Sequence, residues 1–187
     1  MQVISHMARH TLKVTITERI VLTFTLASSA LAVWGNPLEE LSFTQSSSLG
    51  PDVTATLTRE GVLDGYSVTA HLNPFYLHAD FDGDGRQDTA LLVRHGTSGK
   101  RGIAVLHSSD GNAHFIGAGT SVGSGGDDFA WMDAWHVQRR GPVRRGPHND
   151  SEPPVLKGDT LLVMKTESAS GLVYWSGAKY EWYQRSD

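Results

Sequence analysis

Beyond residue 50 the chain alternates apolar and polar residues at a period of two, or runs through short apolar bursts, with Gly, Asn, Asp and Ser between them. Such a pattern predicts strands over 53–58, 67–72, 75–79, 89–93, 102–107, 113–116, 160–164, 172–175 and 180–183. Two of the connections are short enough to be hairpins: Ser109-Asp110-Gly111-Asn112 and Ser176-Gly177-Ala178-Lys179. No segment of the domain keeps a 3.6-residue period for more than two turns. The expected class is therefore all-β, one antiparallel β domain whose closure as a barrel, a sandwich or a partial propeller-like array is left open by periodicity. A complete seven-bladed propeller is excluded by length, because each blade takes about 40 residues or more.

The N-terminus follows a different pattern. Arg9, Lys13 and Arg19 precede the apolar run Ile20-Val21-Leu22-Thr23-Phe24-Thr25-Leu26, which leads to Ala30-Leu31-Ala32. A basic region, a short apolar stretch and an Ala-x-Ala site spell a secretory signal. The run falls short of the roughly 20 apolar residues that span a bilayer as a helix, so no membrane insertion is expected after cleavage. Residues 1–32 are assigned to the signal, with Met7 an alternative start. Residues 33–50, rich in Ser, are expected to be a poorly ordered lead-in, and 51–187 to be the β domain.

Export changes how the rest is read. The chain has no cysteine, which removes a lipid anchor through Cys, a disulfide scaffold and a thiol nucleophile. Net charge is −4; without residues 1–32 the balance is 13 basic against 19 acidic side chains, or −6, which argues against a nucleic-acid partner.

The sharpest chemical signal is Asp80-Phe81-Asp82-Gly83-Asp84-Gly85-Arg86-Gln87-Asp88. Carboxylates at loop positions 1, 3, 5 and 9 suit a hard divalent cation, and Ca2+ takes six to eight oxygens at about 2.3–2.6 Å. Asp80, Asp82, Asp84 and Asp88 are assigned as side-chain ligands and the Arg86 carbonyl as a backbone ligand. Gly85 allows the sharp turn at the sixth position. Position 12 is Leu91, so this is no helix-flanked EF-hand. Without an ion the loop would be a self-repelling, aspartate-rich turn. The Asp-x-Asp-x-Asp-Gly-x-x-Asp loop between two strands resembles the FG-GAP or VCBS-type calcium repeat of integrin-like β-propellers, over residues 79–93.

Two further stretches nominate contact surfaces. The glycine-rich run 117–126 leads into Asp127, Asp128, Phe129, Trp131, Asp133 and Trp135. One reading presents Asp127, Asp128, Trp131, Asp133 and Trp135 to a sugar or a protein, since aromatics stack on sugar faces and anchor interfaces. The other makes Phe129, Trp131 and Trp135 core and the aspartates turn caps. The second stretch, Arg139, Arg140, Arg144 and Arg145 in a Pro/Gly-punctuated loop, can grip an acidic surface or lie solvated. A glycosidase needs two carboxyl groups about 5–9.5 Å apart, for which Asp127 with Asp133 or Glu152 are the only nominations. Histidines beyond the signal show no His-x-x-x-His spacing, so no zinc site is expected.

Signal peptide, small β domain and calcium loop together look like small periplasmic inhibitor or immunity proteins. That likeness of build implies a periplasmic or secreted, non-catalytic protein that binds Ca2+ and blocks a peptidoglycan-cleaving, lysozyme-type enzyme through a loop. The alternative class is an envelope carbohydrate-binding protein or glycoside hydrolase.

Overall fold

The computed structural model describes residues 35–59, 61–146 and 149–186. The signal assigned to 1–32 lies outside the described residues. Within them the protein is all-β: two antiparallel sheets with two short helices in front.

The first sheet holds β1 (Tyr66–Val68), β2 (Tyr76–Ala79), β3 (Asp88–His95), β4 (Arg101–Leu106) and β5 (Ala113–Gly117). Its order is β1-β3-β4-β5, and β2 continues the edge of β1 along the other half of β3, pairing Tyr76 with Leu91 and Ala79 with Asp88. The second sheet is a meander of β6 (Ala134–Gln138), β7 (Thr160–Lys165), β8 (Ala169–Trp175) and β9 (Tyr180–Ser186). Both expected hairpins form, β4 with β5 and β8 with β9.

Asp88 to Val93 are all buried, so β3 is covered on both faces. Ala90, Leu91, Leu92 and Val93 explain why: a strand this apolar is stable only where both sides are shielded. One continuous apolar cluster joins Leu91 and Ile103 of the first sheet to Leu161, Val163 and Val173 of the second. The sheets therefore share a core. Among the described residues, no helix is long and apolar enough to cross a membrane.

The segment ahead of the sheets departs from expectation. Within the lead-in of 33–50, expected to be poorly ordered, α1 (Phe43–Ser48) is closed by a capping box in which Ser42 and Gln45 bond each other's backbone. Leu38 and Leu49 are buried in the core and hold the segment down. Residues 53–58, expected as a strand, form α2 (Pro51–Leu57) and its cap. Local chemistry outweighs β-branching here. Pro51 starts the helix, Asp52 sits in its first turn, and the Thr54, Thr56 and Thr58 hydroxyls bond carbonyls four residues back. Leu57, buried in the core at the last turn, then anchors the helix.

Candidate metal centre

Ala79 ends β2 and Asp88 begins β3, so the aspartate loop is the connection of an antiparallel pair. Phe81 is fully buried and pins the loop to the core while its neighbours stay near the surface. Gly83 and Gly85 both adopt positive φ, +84° and +86°, which turns the chain twice within three residues. The loop closes on its own backbone: Asp80 Oδ1 accepts from Gly83 N at 2.8 Å, Asp80 Oδ2 from Gly85 N at 3.1 Å, and Asp82 Oδ1 from Asp84 N at 3.0 Å. One carboxylate oxygen each of Asp80, Asp82 and Asp84 lies within 4.8 Å of the others. Each accepted N–H uses one lone pair, and a carboxylate oxygen has another for an ion.

Asp88 is placed differently from the other three. It is fully buried, its Oδ2 accepts from Phe81 N at 2.9 Å and Asp82 N at 3.3 Å, and its Oδ1 accepts from Ser108 N at 2.8 Å. Its donor atom groups with those of Asp82 and His107 rather than with Asp80 and Asp84. Burial raises its pKa, the Ser108 N–H opposes that, and the charge of Asp82 adds to the rise. Asp84 shifts the other way: the Arg86 backbone N–H, then the Arg86 guanidinium, hold it below the usual carboxylate range. Arg86 Nε stands 2.9 Å from Asp84 Oδ2, so this side chain already gives the loop one positive charge.

The loop is wedged against the second sheet. Asp80 O accepts from Asp159 N at 2.7 Å, and a Cβ on Gly158 would stand 2.5 Å from both Asp80 O and Phe81 O. Asp159, mostly buried, binds Arg139 Nη1 at 2.7 Å and Arg140 N at 2.8 Å, while Arg140 Nη1 donates to Lys157 O at 2.8 Å. The arginine loop thus springs from the residues on which the aspartate loop rests. Arg139, Arg140, Arg144 and Arg145 are exposed, and Arg145 pairs with Glu152.

The other nominated stretch is used by the fold itself. Phe129 and Trp135 are buried, and the Trp135 indole N–H donates to Pro74 O at 2.7 Å. Trp135 is therefore a core residue of β6 and not a contact side chain, because its one donor and its ring are both consumed. Trp131 is half-buried against Phe129 and Trp182. Asp127 pairs with Lys100; Asp128 Oδ1 caps the turn at Phe129–Trp131 and accepts from Arg101 N at 3.0 Å. Asp133 Oδ1 accepts from Thr166 N and its hydroxyl, both at 2.8 Å, and Lys165 lies 3.1 Å from its other oxygen. Asp127, Asp133 and Glu152 each have a different cation, so the nominated glycosidase pairs gain no shared proton site. None of the tryptophans among the described residues is fully exposed.

Two features stand outside the sequence reading. Gly119-Thr120-Ser121-Val122-Gly123 has the letters of a nucleophile elbow, yet it follows an antiparallel hairpin strand and not a strand-to-helix turn. Ser121 also has no hydrogen-bonded histidine among the described residues. The second is a histidine cluster: the β4–β5 hairpin brings His107 and His114 together, ring centroids 4.2 Å apart, beneath Trp175 and Tyr180. Tyr180 O–H and His107 Nε2 are 2.7 Å apart, and His107 Nδ1 is 3.7 Å from Asp82 Oδ2. The only available signal was the tight turn itself, which sets residues seven apart on adjoining strands.

No protein-family model matches the chain, and no curated protein or solved structure matches it.

Proposed function

We propose that this is an exported, calcium-binding recognition protein, with the ion held by the aspartate loop and the neighbouring arginine loop as the contact surface. The observation that carries this reading is the convergence of Asp80, Asp82 and Asp84 in a loop already closed by its own N–H groups. An all-carboxylate cluster selects a hard cation, and calcium tolerates the irregular geometry such a loop offers. Asp88 meets this set only through Asp82, so its ligand role, like that of the Arg86 carbonyl, rests on the spacing of the loop.

The ion neutralises a loop that abuts Gly158 and Asp159, and so stiffens the base from which Arg139 to Arg145 project. Exposed guanidiniums suit an anionic partner. The partner class is a peptidoglycan-cleaving, lysozyme-type enzyme, whose cleft must hold two carboxyl groups that an inserted arginine can engage in bidentate fashion. The protein then acts by occlusion, as an inhibitor or immunity protein of the periplasm or the secreted fraction.

The test is a muramidase assay on peptidoglycan with purified protein in calcium and in chelator. Inhibition that needs calcium and weakens at least tenfold in Arg144→Ala/Arg145→Ala supports the reading. Inhibition absent in calcium, beside a normal calorimetric calcium isotherm, removes the partner and leaves the metal centre. No calcium isotherm removes both. Retention on a peptidoglycan resin without any effect on the enzyme would instead favour the envelope carbohydrate-binding alternative.

A further inference from the structure

We propose a second metal site, of the zinc class, at His107, Asp110 and His114. One donor atom from each lies within 4.8 Å of the others. Two imidazoles and one carboxylate form a borderline-soft donor set, which suits Zn2+ and does not suit the calcium chemistry of the neighbouring loop.

The hairpin builds the site. Residues 105 and 114 are cross-strand partners, and the turn that follows His107 carries Asp110 back over the pair. Asp110 orders that turn, its Oδ1 accepting from Asn112 N and its Oδ2 from the Asn112 amide, both at 2.8 Å. Each oxygen keeps a lone pair. His107 is buried with its Nε2 2.7 Å from the Tyr180 oxygen; in the tautomer that donates Nε2–H to that oxygen, its Nδ1 keeps a free pair for a metal. A partner on the far ring nitrogen is how metal-ligating histidines are oriented.

His114 supplies the independent observation. Its Nε2 is shut off from solvent with no hydrogen-bond partner among the described residues, a costly state for a folded protein unless something else satisfies the atom. Trp175 and Tyr180 meet both imidazoles edge-on and wall the site on its buried side. Asp110 is exposed and forms the open side. Donors of a tetrahedral zinc with bonds of about 2.0–2.1 Å stand roughly 3.3 Å apart, so binding draws the three groups inward. The exposed turn is the element free to close. Three protein ligands leave a fourth position for water or for a donor from a bound partner.

His107 also stands beside Asp82 of the aspartate loop, and their donor atoms fall in one group with Asp88. The two sites are thus neighbours, and the test must separate them. Purified protein held in excess calcium is titrated with Co2+, followed by its ligand-field absorption, and with Zn2+ against a chromophoric chelator. One equivalent of each is expected, with the intense four-coordinate cobalt spectrum. His114→Gln and Asp110→Asn, both on or near the surface of the hairpin, should each weaken zinc at least tenfold and leave the calcium isotherm unchanged. Asp84→Ala should do the reverse. The proposal is overturned if the wild type takes no zinc in calcium, or if His114→Gln with an unaltered circular dichroism spectrum binds zinc as tightly as wild type. It is equally overturned if Asp84→Ala removes the zinc, which would place that ion in the aspartate loop.

Discussion

Loop 80–88 and segment 127–133 have nearly the same ingredients, clustered aspartates flanked by glycine and one buried phenylalanine, and the fold spends them in opposite ways. In the segment each carboxylate finds its own partner: Lys100 for Asp127, the Arg101 and Ala130 N–H groups for Asp128, Lys165 and Thr166 for Asp133. In the loop Asp80, Asp82 and Asp84 lie together, and among the described residues Arg86 is the one arginine or lysine paired with any of the three, His107 standing 3.7 Å from Asp82. Alternation makes the difference. Aspartates at every second position of a curling chain converge, whereas Asp127 and Asp128, adjacent in sequence, each take a separate donor at the start of β4, the Lys100 ammonium and the Arg101 N–H. Spacing, and not acidity, marks the candidate metal site.

The contrast is broken most severely by Gly83→Ala. The new Cβ would stand 2.5 Å from Lys157 O at a φ of +84°, so both strain and overlap oppose it. The expected loss is roughly 2–4 kcal/mol in urea unfolding. Gly126→Ala, in the glycine run before Asp127, has positive φ of +76° but meets nothing within 4 Å. With ψ at −164°, in a region essentially reserved for glycine, it should lose about 1–3 kcal/mol from strain alone, without the overlap. Equal losses would mean that the loop does not rest on residues 157–159.

Calcium should distinguish the two regions next. At free calcium about 100 times Kd, linkage gives about 2.7 kcal/mol, a rise in Tm on the order of 5–10 °C for a domain of this size. The rise should vanish in Asp82→Ala and Asp84→Ala and persist in full in Asp127→Ala and Asp133→Ala. A rise that survives Asp84→Ala would detach the ion from this loop.

What could be seen in advance follows the same division between local and distant causes. The aspartate spacing, the apolar runs of β3 and β4 and both hairpin turns are written within a dozen consecutive residues, and the fold contains the Asp80/Asp82/Asp84 cluster, both strands and both hairpins. The helix α2 was hidden because Val53, Thr54 and Thr56 score as strand, and only the helix-starting Gly50-Pro51-Asp52 and the hydroxyl back-bonds reverse them. β6 was hidden because Trp135 and Val137 alternate for too few residues before the arginines begin. Lys100 with Asp127, and His107 with His114, are tertiary or cross-strand pairs, and no residue type announces its partner across a turn or a sheet.

A smaller effect sharpens the role of the segment. Asp128→Ala removes one oxygen that serves two N–H groups, Ala130 and Arg101, and should cost about 1–2 kcal/mol. Asp127→Ala breaks only the half-exposed pair with Lys100 and should cost less than about 1 kcal/mol, falling further at high salt. Neither should change calcium binding. If Asp127→Ala proves the costlier of the two, the segment is held by charge and not by capping.

The smallest effect is in acid titration, where the two regions should move in opposite directions. In chelator, Asp88 holds its proton more tightly folded than unfolded, because burial disfavours its charge. Its contribution to stability is greatest below its ordinary pKa and declines as pH rises through the raised folded value. Asp133 is pulled below the usual 3.8 by the Thr166 N–H and hydroxyl, so its contribution is present above 3.8 and is lost as pH falls through the lowered value. Carboxyl-carbon NMR of the chelated protein should place the Asp88 midpoint above that of Asp133. Calcium should then lower the Asp88 midpoint and leave that of Asp133 where it was, since a bound cation favours the carboxylate only within its reach. An Asp88 midpoint indifferent to calcium would strip it of the ninth-position ligand role and leave it as the buried acceptor that ties Phe81, Asp82 and Ser108 together.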